Sequence, residues 1–175
     1  QIPSEGTAKQ NGDIAARNDS YNWAKTLNYA LAQHPEINFL VSPGDQINEP
    51  AEDQSAAKIQ MQEYQYAGYL SPAALRSLPA ATSIGNHDCM TSGYQNHFNV
   101  PNPFTEETNS TKAGYGYYYT YGSALFIVIN ANNYNAADHQ ALIEKAIKAH
   151  PDTKWRIVVM HQDIYGSGKD PSDSD

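Results

Sequence analysis

Short apolar segments alternate along this chain with segments of helical periodicity, and this alternation constrains the fold more than any other feature of the sequence. Apolar runs that end at turn residues indicate β-strands. They lie at residues 37–41, 80–84, 115–121, 124–130 and 155–160. Amphipathic patterns predict helices over residues 19–34, 54–69 and 136–150. Strands that alternate with helices predict a layered α/β domain.

The local pattern also predicts which strands are buried and where the loops lie. The runs at 37–41, 80–84 and 155–160 predict buried strands. Asp53 is the predicted cap of the helix over 54–69, and Ser71-Pro72 predicts the start of a short helix, since proline fits the first helical turn. Polar stretches without an apolar period predict loops over residues 1–18, 89–113 and 166–175.

Residues 115–130 predict a β-hairpin, because Gly122-Ser123 separates two strand-like runs. Tyr117, Tyr119 and Tyr121 alternate along the first run, so they are predicted to share one face of the sheet. We interpret this stripe as core or sheet cover rather than as a binding cage.

The composition excludes several classes of protein. A length of 175 residues suits a single domain with a buried core. The formal net charge of −8 argues against nucleic acid as the main partner, because phosphate backbones require a basic surface. The longest apolar run, 124–129, is too short to span a bilayer, so no membrane partner is predicted. The many tyrosine, asparagine, serine and glycine residues favour an extracellular or cell-surface location.

Cys89 is the only cysteine, so the chain forms neither an internal disulfide nor a cysteine-based zinc site. We interpret Cys89 as a small packing residue that is buried in the core.

Polar residues follow three of the predicted strands directly. Asp45 follows the first strand, Asn86, His87 and Asp88 follow the second, and His161 follows the last. Sites of α/β proteins are built at the carboxyl ends of strands, so these side chains are expected to converge. Each of these motifs alone is weak evidence for a functional site: Gly44-Asp45 could be a turn, and His161 could be a partly buried histidine.

Taken together, these residues resemble the calcineurin-like metallophosphoesterases, and within them the purple-acid-phosphatase-like branch. That family assembles its site from Asp-x-His, Gly-Asp, Gly-Asn-His-Asp or -Glu, a strand-end His, and Gly-His-x-His. This chain has the middle three blocks as Gly44-Asp45, Gly85-Asn86-His87-Asp88 and His161, within a resemblance that covers residues 39–168. The resemblance implies a layered sandwich of mixed β-sheets flanked by helices, incomplete in this chain.

The resemblance also implies a role for each residue. Asp45 bridges two metal ions, while Asn86 and His161 bind the second metal. The metals are iron, zinc or manganese, and they activate the water that attacks a small-molecule phosphate ester, mono- or diester. His87 donates a proton to the leaving group as general acid, and Asp88 holds the His87 ring.

The chain departs from the family in three respects. Asn48 stands where purple acid phosphatases have an iron-binding tyrosine, and the Asp-x-His and Gly-His-x-His blocks are absent. We therefore expect a single domain over residues 1–175 that is truncated at both ends relative to the family. We also expect this chain alone to bind at most one metal, weakly, and to be inactive, whereas a longer parent protein is the phosphatase.

Two rival functions stay open. The first is a degenerate binding or structural module that kept the fold and lost the metals; Asn48 and the missing blocks favour it, whereas the intact Gly85-Asn86-His87-Asp88 does not. The second is a nuclease of the same superfamily, against which the acidic charge argues. Minor predictions are that His97 is exposed to solvent rather than lining the substrate entrance, that His139 and His150 lie on or at the end of a surface helix, and that Gln162 and Tyr165 contact substrate.

Overall fold

The computed structural model describes residues 12–163 of the chain, and Tyr165 and the predicted tail loop lie outside them. The described part contains four α-helices and five β-strands that alternate along the chain, so the predicted α/β class is confirmed. The helices are α1 Gly12–Gln33, α2 Ala56–Leu70, α3 Gly93–His97 and α4 Ala136–Ala149, with a 3-10 turn at Ala73–Arg76. The strands are β1 Leu40–Ser42, β2 Ala80–Thr82, β3 Tyr117–Tyr121, β4 Ala124–Val128 and β5 Trp155–Val159.

The strands form two small sheets within the described residues. Strands β1 and β2 pair in parallel, with Leu40 opposite Ala80. Strands β3 and β4 form the predicted antiparallel hairpin around Gly122, whose φ of 56° suits a tight turn. Strand β5 pairs with β4 in parallel, which helix α4 makes possible by crossing between them.

Two clusters of buried side chains support the sheets. The first lies between the hairpin sheet and α4, and contains Leu125, Ile127 and Leu142 among others. The second contains Ile47, Tyr66, Ile84 and Tyr94. Ile47 and Ile84 lie two residues from Asp45 and Asn86 respectively, so this second cluster anchors both loops that carry candidate site residues.

Three predictions about elements are wrong in detail. Helix α1 begins at Gly12, so residues 12–18 are not a loop; Ala15, Ala16 and Arg17 are strong helix formers and extend the helix backwards. Helix α2 is capped by Ser55, which accepts a hydrogen bond from the Lys58 backbone, and not by Asp53. The predicted loop 89–113 contains the short helix α3.

The strands are also less buried than the sequence predicts. Strand β5 pairs with β4 alone among the described residues, and Trp155, Ile157 and Val158 on it are 67%, 40% and 48% exposed. Strand β1 is only half-buried. The side chains of a strand are buried only where other elements pack on the faces of its sheet, and apolar composition does not reveal which elements do so.

The tyrosine stripe is partly core. Tyr117 is buried, Tyr119 stacks on Phe126 with ring centroids 4.8 Å apart, and Tyr121 is 48% exposed. All three border an apolar cavity of about 480 Å³ between the two sheets, next to Phe98 and Phe39. The stripe therefore changes from core to surface along β3.

Candidate metal centre

The Gly44-Asp45 pair follows β1 in an unusual backbone conformation. Gly44 has φ of 109° and Asp45 has φ of 51°, both in the left-handed region. For a residue with a Cβ such as Asp45 this conformation costs about 1–2 kcal/mol. Gly44 is required here, because an added Cβ would lie 2.5 Å from Nδ1 of His161. This backbone turn therefore directs Asp45 towards the loop after β2 and leaves room for the side chain of His161.

The loop after β2 approaches the Asp45 turn equally closely. A Cβ on Gly85 would lie 2.2 Å from both the backbone nitrogen and Oδ1 of Asp45. The backbone N–H of His87 donates a hydrogen bond to the same Oδ1 at 3.0 Å. Parallel pairing of β1 with β2 puts the ends of both strands at one edge, so the two loops pack directly on each other.

His161 brings the third strand end to this edge. Its Nδ1 lies 2.9 Å from the carbonyl oxygen of Pro43, and because a carbonyl can only accept, Nδ1 carries the proton and donates. In the neutral ring Nε2 then has a free lone pair. This Nε2 lies 2.9 Å from Oδ1 of Asn86 and 3.5 Å from Oδ1 of Asp45.

The three converging atoms fit a cation. Oδ1 of Asp45, Oδ1 of Asn86 and Nε2 of His161 are all electron-pair donors, and Nε2 lies 2.9 Å from the Asn86 oxygen and 3.5 Å from the Asp45 oxygen. Mixed nitrogen and oxygen donors suit zinc, iron and manganese. The Pro43 carbonyl supplies the outer hydrogen bond that metal-binding histidines usually make. No group of three His, Cys, Asp or Glu side chains within residues 12–163 could hold a metal, so this set reaches three donors only through the amide of Asn86.

His87 lies beside this set without joining it. Its Nδ1 lies 2.5 Å from the backbone carbonyl of Asn48, so Nδ1 is protonated and donates. Its Nε2 lies 3.9 Å from Oδ2 of Asp45, and the side chain is 28% exposed. The exchangeable proton position is therefore Nε2, which is oriented by a backbone group and reachable from solvent.

Asp88 does not hold the His87 ring, contrary to the prediction. Its Oδ1 accepts from the hydroxyl of Tyr66 at 3.0 Å, and its Oδ2 accepts from the backbone N–H groups of Gly85 at 3.0 Å and Gln46 at 3.4 Å. Asp88 is fully buried. Burial first, and the nearby charge of Asp45 second, raise its pKa to about 6 against the opposing hydrogen bonds. Asp88 therefore ties the Asp45 turn to the loop after β2.

Sequence reasoning missed Asn132, which connects two of the loops. Its Nδ2 donates to the carbonyl oxygens of Ile84 at 3.2 Å and Gly85 at 3.3 Å, and its Oδ1 accepts from Nε2 of Gln162 at 2.9 Å. A signal was present: the run from Asn130 to Asn133 follows an apolar strand, as the other candidate site residues do. Tyr66 gave no such signal, because it lies within a helical apolar stripe.

An open cleft of about 630 Å³ begins at Asn86 and His87. Its far wall comes from the long loop before β3 and includes Lys112, while Asn132 and Tyr134 also line it. Glu52 and Lys112 are the charged residues in its lining other than the histidine. Cys89 packs against the second buried cluster, as predicted, but it also borders the cleft and is only half-buried.

The remaining histidines lie apart from this centre. The prediction that His97 is exposed to solvent is wrong, because its side chain is only 19% exposed. The ring stacks on Tyr66, and its Nε2 lies 3.2 Å from a carboxylate oxygen of Glu63. His139 lies on α4, as predicted, and its Nε2 lies 2.7 Å from the carbonyl of Asn133. His150 follows the last turn of the same helix.

No family model, no curated protein and no solved structure gives a significant match to this chain. No helix among residues 12–163 combines the length and apolarity that a membrane span requires. Assignment of the chain to the metallophosphoesterases therefore stays a prediction, for which the geometry around Asp45, Asn86 and His161 is the physical support.

Proposed function

We propose that this chain contributes the second-metal ligands and the general acid of a dinuclear metallophosphoesterase site, within a layered metallophosphoesterase sandwich. The observation that carries the proposal is the convergence of Asp45, Asn86 and His161, whose donor atoms come from three strand ends far apart in sequence. Asp45, Asn86 and His161 would hold a metal ion of the iron, zinc or manganese group, which when bound would supply positive charge for the phosphate oxygens and acidify the attacking water.

The chain's own residues account for the rest of the reaction. Asn86 binds as a neutral ligand, so the site keeps positive charge for an anionic ester. His87 holds its exchangeable proton at Nε2 and delivers it to the leaving-group oxygen as the ester bond breaks. The hydrogen bond to the Asn48 carbonyl fixes the ring tautomer that this transfer requires. Such a positioned acid contributes about 10²–10⁴-fold to the rate.

The substrate is a small phosphate ester. The cleft that begins at Asn86 and His87 is large enough for an ester with its leaving group, at about 630 Å³. The overall acidity of the chain disfavours a nucleic-acid substrate, because a metal site compensates local charge only.

The alternative is a degenerate binding module that retains the fold. Asn48 favours this alternative, since it stands where purple acid phosphatases have an iron-binding tyrosine. The intact His87 opposes it, because a module without chemistry does not require a histidine held by its Nδ1 in one tautomer.

Metal content and hydrolysis of p-nitrophenyl phosphate, measured on this chain and on a longer protein that adds Asp-x-His and Gly-His-x-His blocks, test the proposal. We expect weak binding of one metal and no turnover by this chain, and two metals with turnover in the longer protein. His87→Ala in the longer protein should lower kcat about 10²-fold or more with both metals retained. His139→Ala, which changes a histidine on α4, is the matched control. If the longer protein binds no metal at saturating manganese, zinc or iron, the phosphoesterase proposal is wrong and the degenerate binding module is the correct function.

A further inference from the structure

The side-chain amide of Asn132 joins the segments that carry two of the candidate metal ligands. On one side its Nδ2 donates to the carbonyl oxygens of Ile84 and Gly85, the two residues that precede Asn86. On the other side its Oδ1 accepts a hydrogen bond of 2.9 Å from Gln162, the residue that follows His161. Asn130 holds the amide in place, because its Oδ1 accepts from Nδ2 of Asn132 at 3.1 Å.

These contacts act on the distance between the donor atoms of Asn86 and His161, on which metal binding depends. Within the described residues Asn86 and His161 follow strands of different sheets, since Asn86 lies in the loop after β2 and His161 follows β5. No ladder of backbone hydrogen bonds therefore fixes the gap between them. Their donor atoms are nevertheless 2.9 Å apart. The chain from Gly85 through Asn132 to Gln162 bridges that gap next to the ligands.

A side-chain amide suits this bridge. One end must donate to carbonyl oxygens and the other must accept from an N–H, and asparagine has both groups on one planar side chain. An aspartate at position 132 lacks the donor and would place a negative charge against two carbonyl oxygens. An alanine leaves the carbonyls of Ile84 and Gly85 and the Gln162 amide without this partner.

We propose that Asn132 and Gln162 are positioning residues that set the separation of Asn86 and His161 and thereby the affinity and geometry of the metal site. The inference rests on the proposed function, because it presupposes that Asn86 and His161 bind a metal. It goes further in assigning a role to a side chain of the β4 loop that touches neither metal nor phosphate. Removal of a direct hydrogen-bond partner of a metal ligand typically changes metal affinity by about 10–100-fold; Asn132 holds the segments beside the ligands, so we expect an effect at the lower end of that range.

The test is titration of the full chain with Mn²⁺ and with Co²⁺, whose visible absorption reports ligand geometry. Asn132→Ala and Gln162→Ala are compared with wild type and with the double variant. Asn96→Ala and Gln140→Ala, which change exposed amides on α3 and α4, are the matched controls. Thermal unfolding of each variant separates loss of folding from loss of affinity.

We expect each single variant to weaken metal binding by about 10-fold or more and to change the Co²⁺ spectrum. The double variant should be no weaker than the weaker single one, because both substitutions break the same Oδ1–Nε2 bond. If Asn132→Ala fails to fold, Gln162→Ala decides, since it leaves the donors to Ile84 and Gly85 in place.

Wild-type affinity and an unchanged spectrum in folded Gln162→Ala would overturn the positioning role while leaving the proposed function intact. Additive losses in the double variant would overturn it as well, since independent effects contradict a shared bond. Absence of metal binding by wild type refutes the proposed function and this inference together.

Discussion

Nε2 of His161 lies 2.9 Å from Oδ1 of Asn86, although 75 positions separate the two residues in the sequence. Oδ1 of Asp45 lies 3.5 Å from the same nitrogen. A lone-pair nitrogen that faces two oxygens is a favourable arrangement only when a proton or a cation lies between them.

Replacing Asn86 with aspartate should strengthen metal binding and weaken phosphate binding. The added carboxylate binds a divalent cation more strongly than a neutral amide, but it also lowers the positive charge that attracts phosphate. We expect the Kd for Mn²⁺ to fall about 10-fold, a change of about 1.4 kcal/mol. Calorimetric titration with Mn²⁺, and then of the loaded chain with inorganic phosphate, measures both effects. Tighter binding of both ions would contradict the role of Asn86 as a neutral ligand.

Replacing Gly85 with alanine should damage the site by a direct clash. The new Cβ would lie 2.2 Å from the backbone nitrogen of Asp45, and backbone cannot move aside as a flexible side chain can. We expect a loss of about 3 kcal/mol in the free energy of unfolding, at the upper end of overpacking effects. Gly122→Ala is the control: its Cβ meets nothing within 4 Å, so only the positive φ opposes it, at about 1 kcal/mol. Urea denaturation compares the two, and equal losses would refute the clash.

Removing the hydroxyl of Tyr66 should destabilise the protein through Asp88. The Tyr66 hydroxyl donates a hydrogen bond of 3.0 Å to the fully buried carboxylate of Asp88. Hydrogen bonds to charged groups contribute about 1.5–3 kcal/mol to the free energy of unfolding. Tyr66→Phe should therefore lower the free energy of unfolding by that amount at neutral pH. Tyr64→Phe changes a tyrosine that is 45% exposed and should stay within about 0.5 kcal/mol of wild type. A similar small effect at both positions would show that the Tyr66 hydroxyl does not support Asp88.

The stability of the protein should fall as pH rises through the titration of Glu107. Burial raises the pKa of this carboxyl above its ordinary value of 4.5, although the Gly116 N–H donates to it at 2.8 Å. A raised pKa means that the folded state binds more protons than the unfolded state in the window above 4.5, so stability is highest below that window and is lost as pH rises through the folded pKa.

Glu107→Gln keeps an acceptor for Gly116 and removes the charge, so it should reduce this pH dependence and stabilise the protein at pH 8 relative to pH 4. Denaturation at the two pH values measures the difference. Glu106→Gln is the control, because that carboxylate is 67% exposed and pairs with Lys145 at the surface. If Glu107→Gln keeps the wild-type slope, Glu107 is not the group that causes it.

Much of the fold follows from local pattern. The hairpin over residues 115–130 and the helix over 136–150 agree closely with the observed elements, since apolar periodicity and turn residues act over a few positions. Helix α1 begins before the predicted residue 19, because the helix propensity of Ala15, Ala16 and Arg17 outweighs the polar residues among them.

The sequence by itself determined the kind of most elements, α3 excepted, and the fact that Asp45, Asn86 and His161 follow strands, because burial of apolar residues at a fixed period is a local requirement. Only the tertiary structure decided the partners. Asp88 turns to Tyr66 and not to His87, and Asn132 bridges to Gln162. The physical reason is that a hydrogen bond depends on distances of about 3 Å between residues whose separation along the chain carries no information about their separation in space. The same holds for the exposure of β5, which depends on the elements that pack against it and not on its own apolar residues.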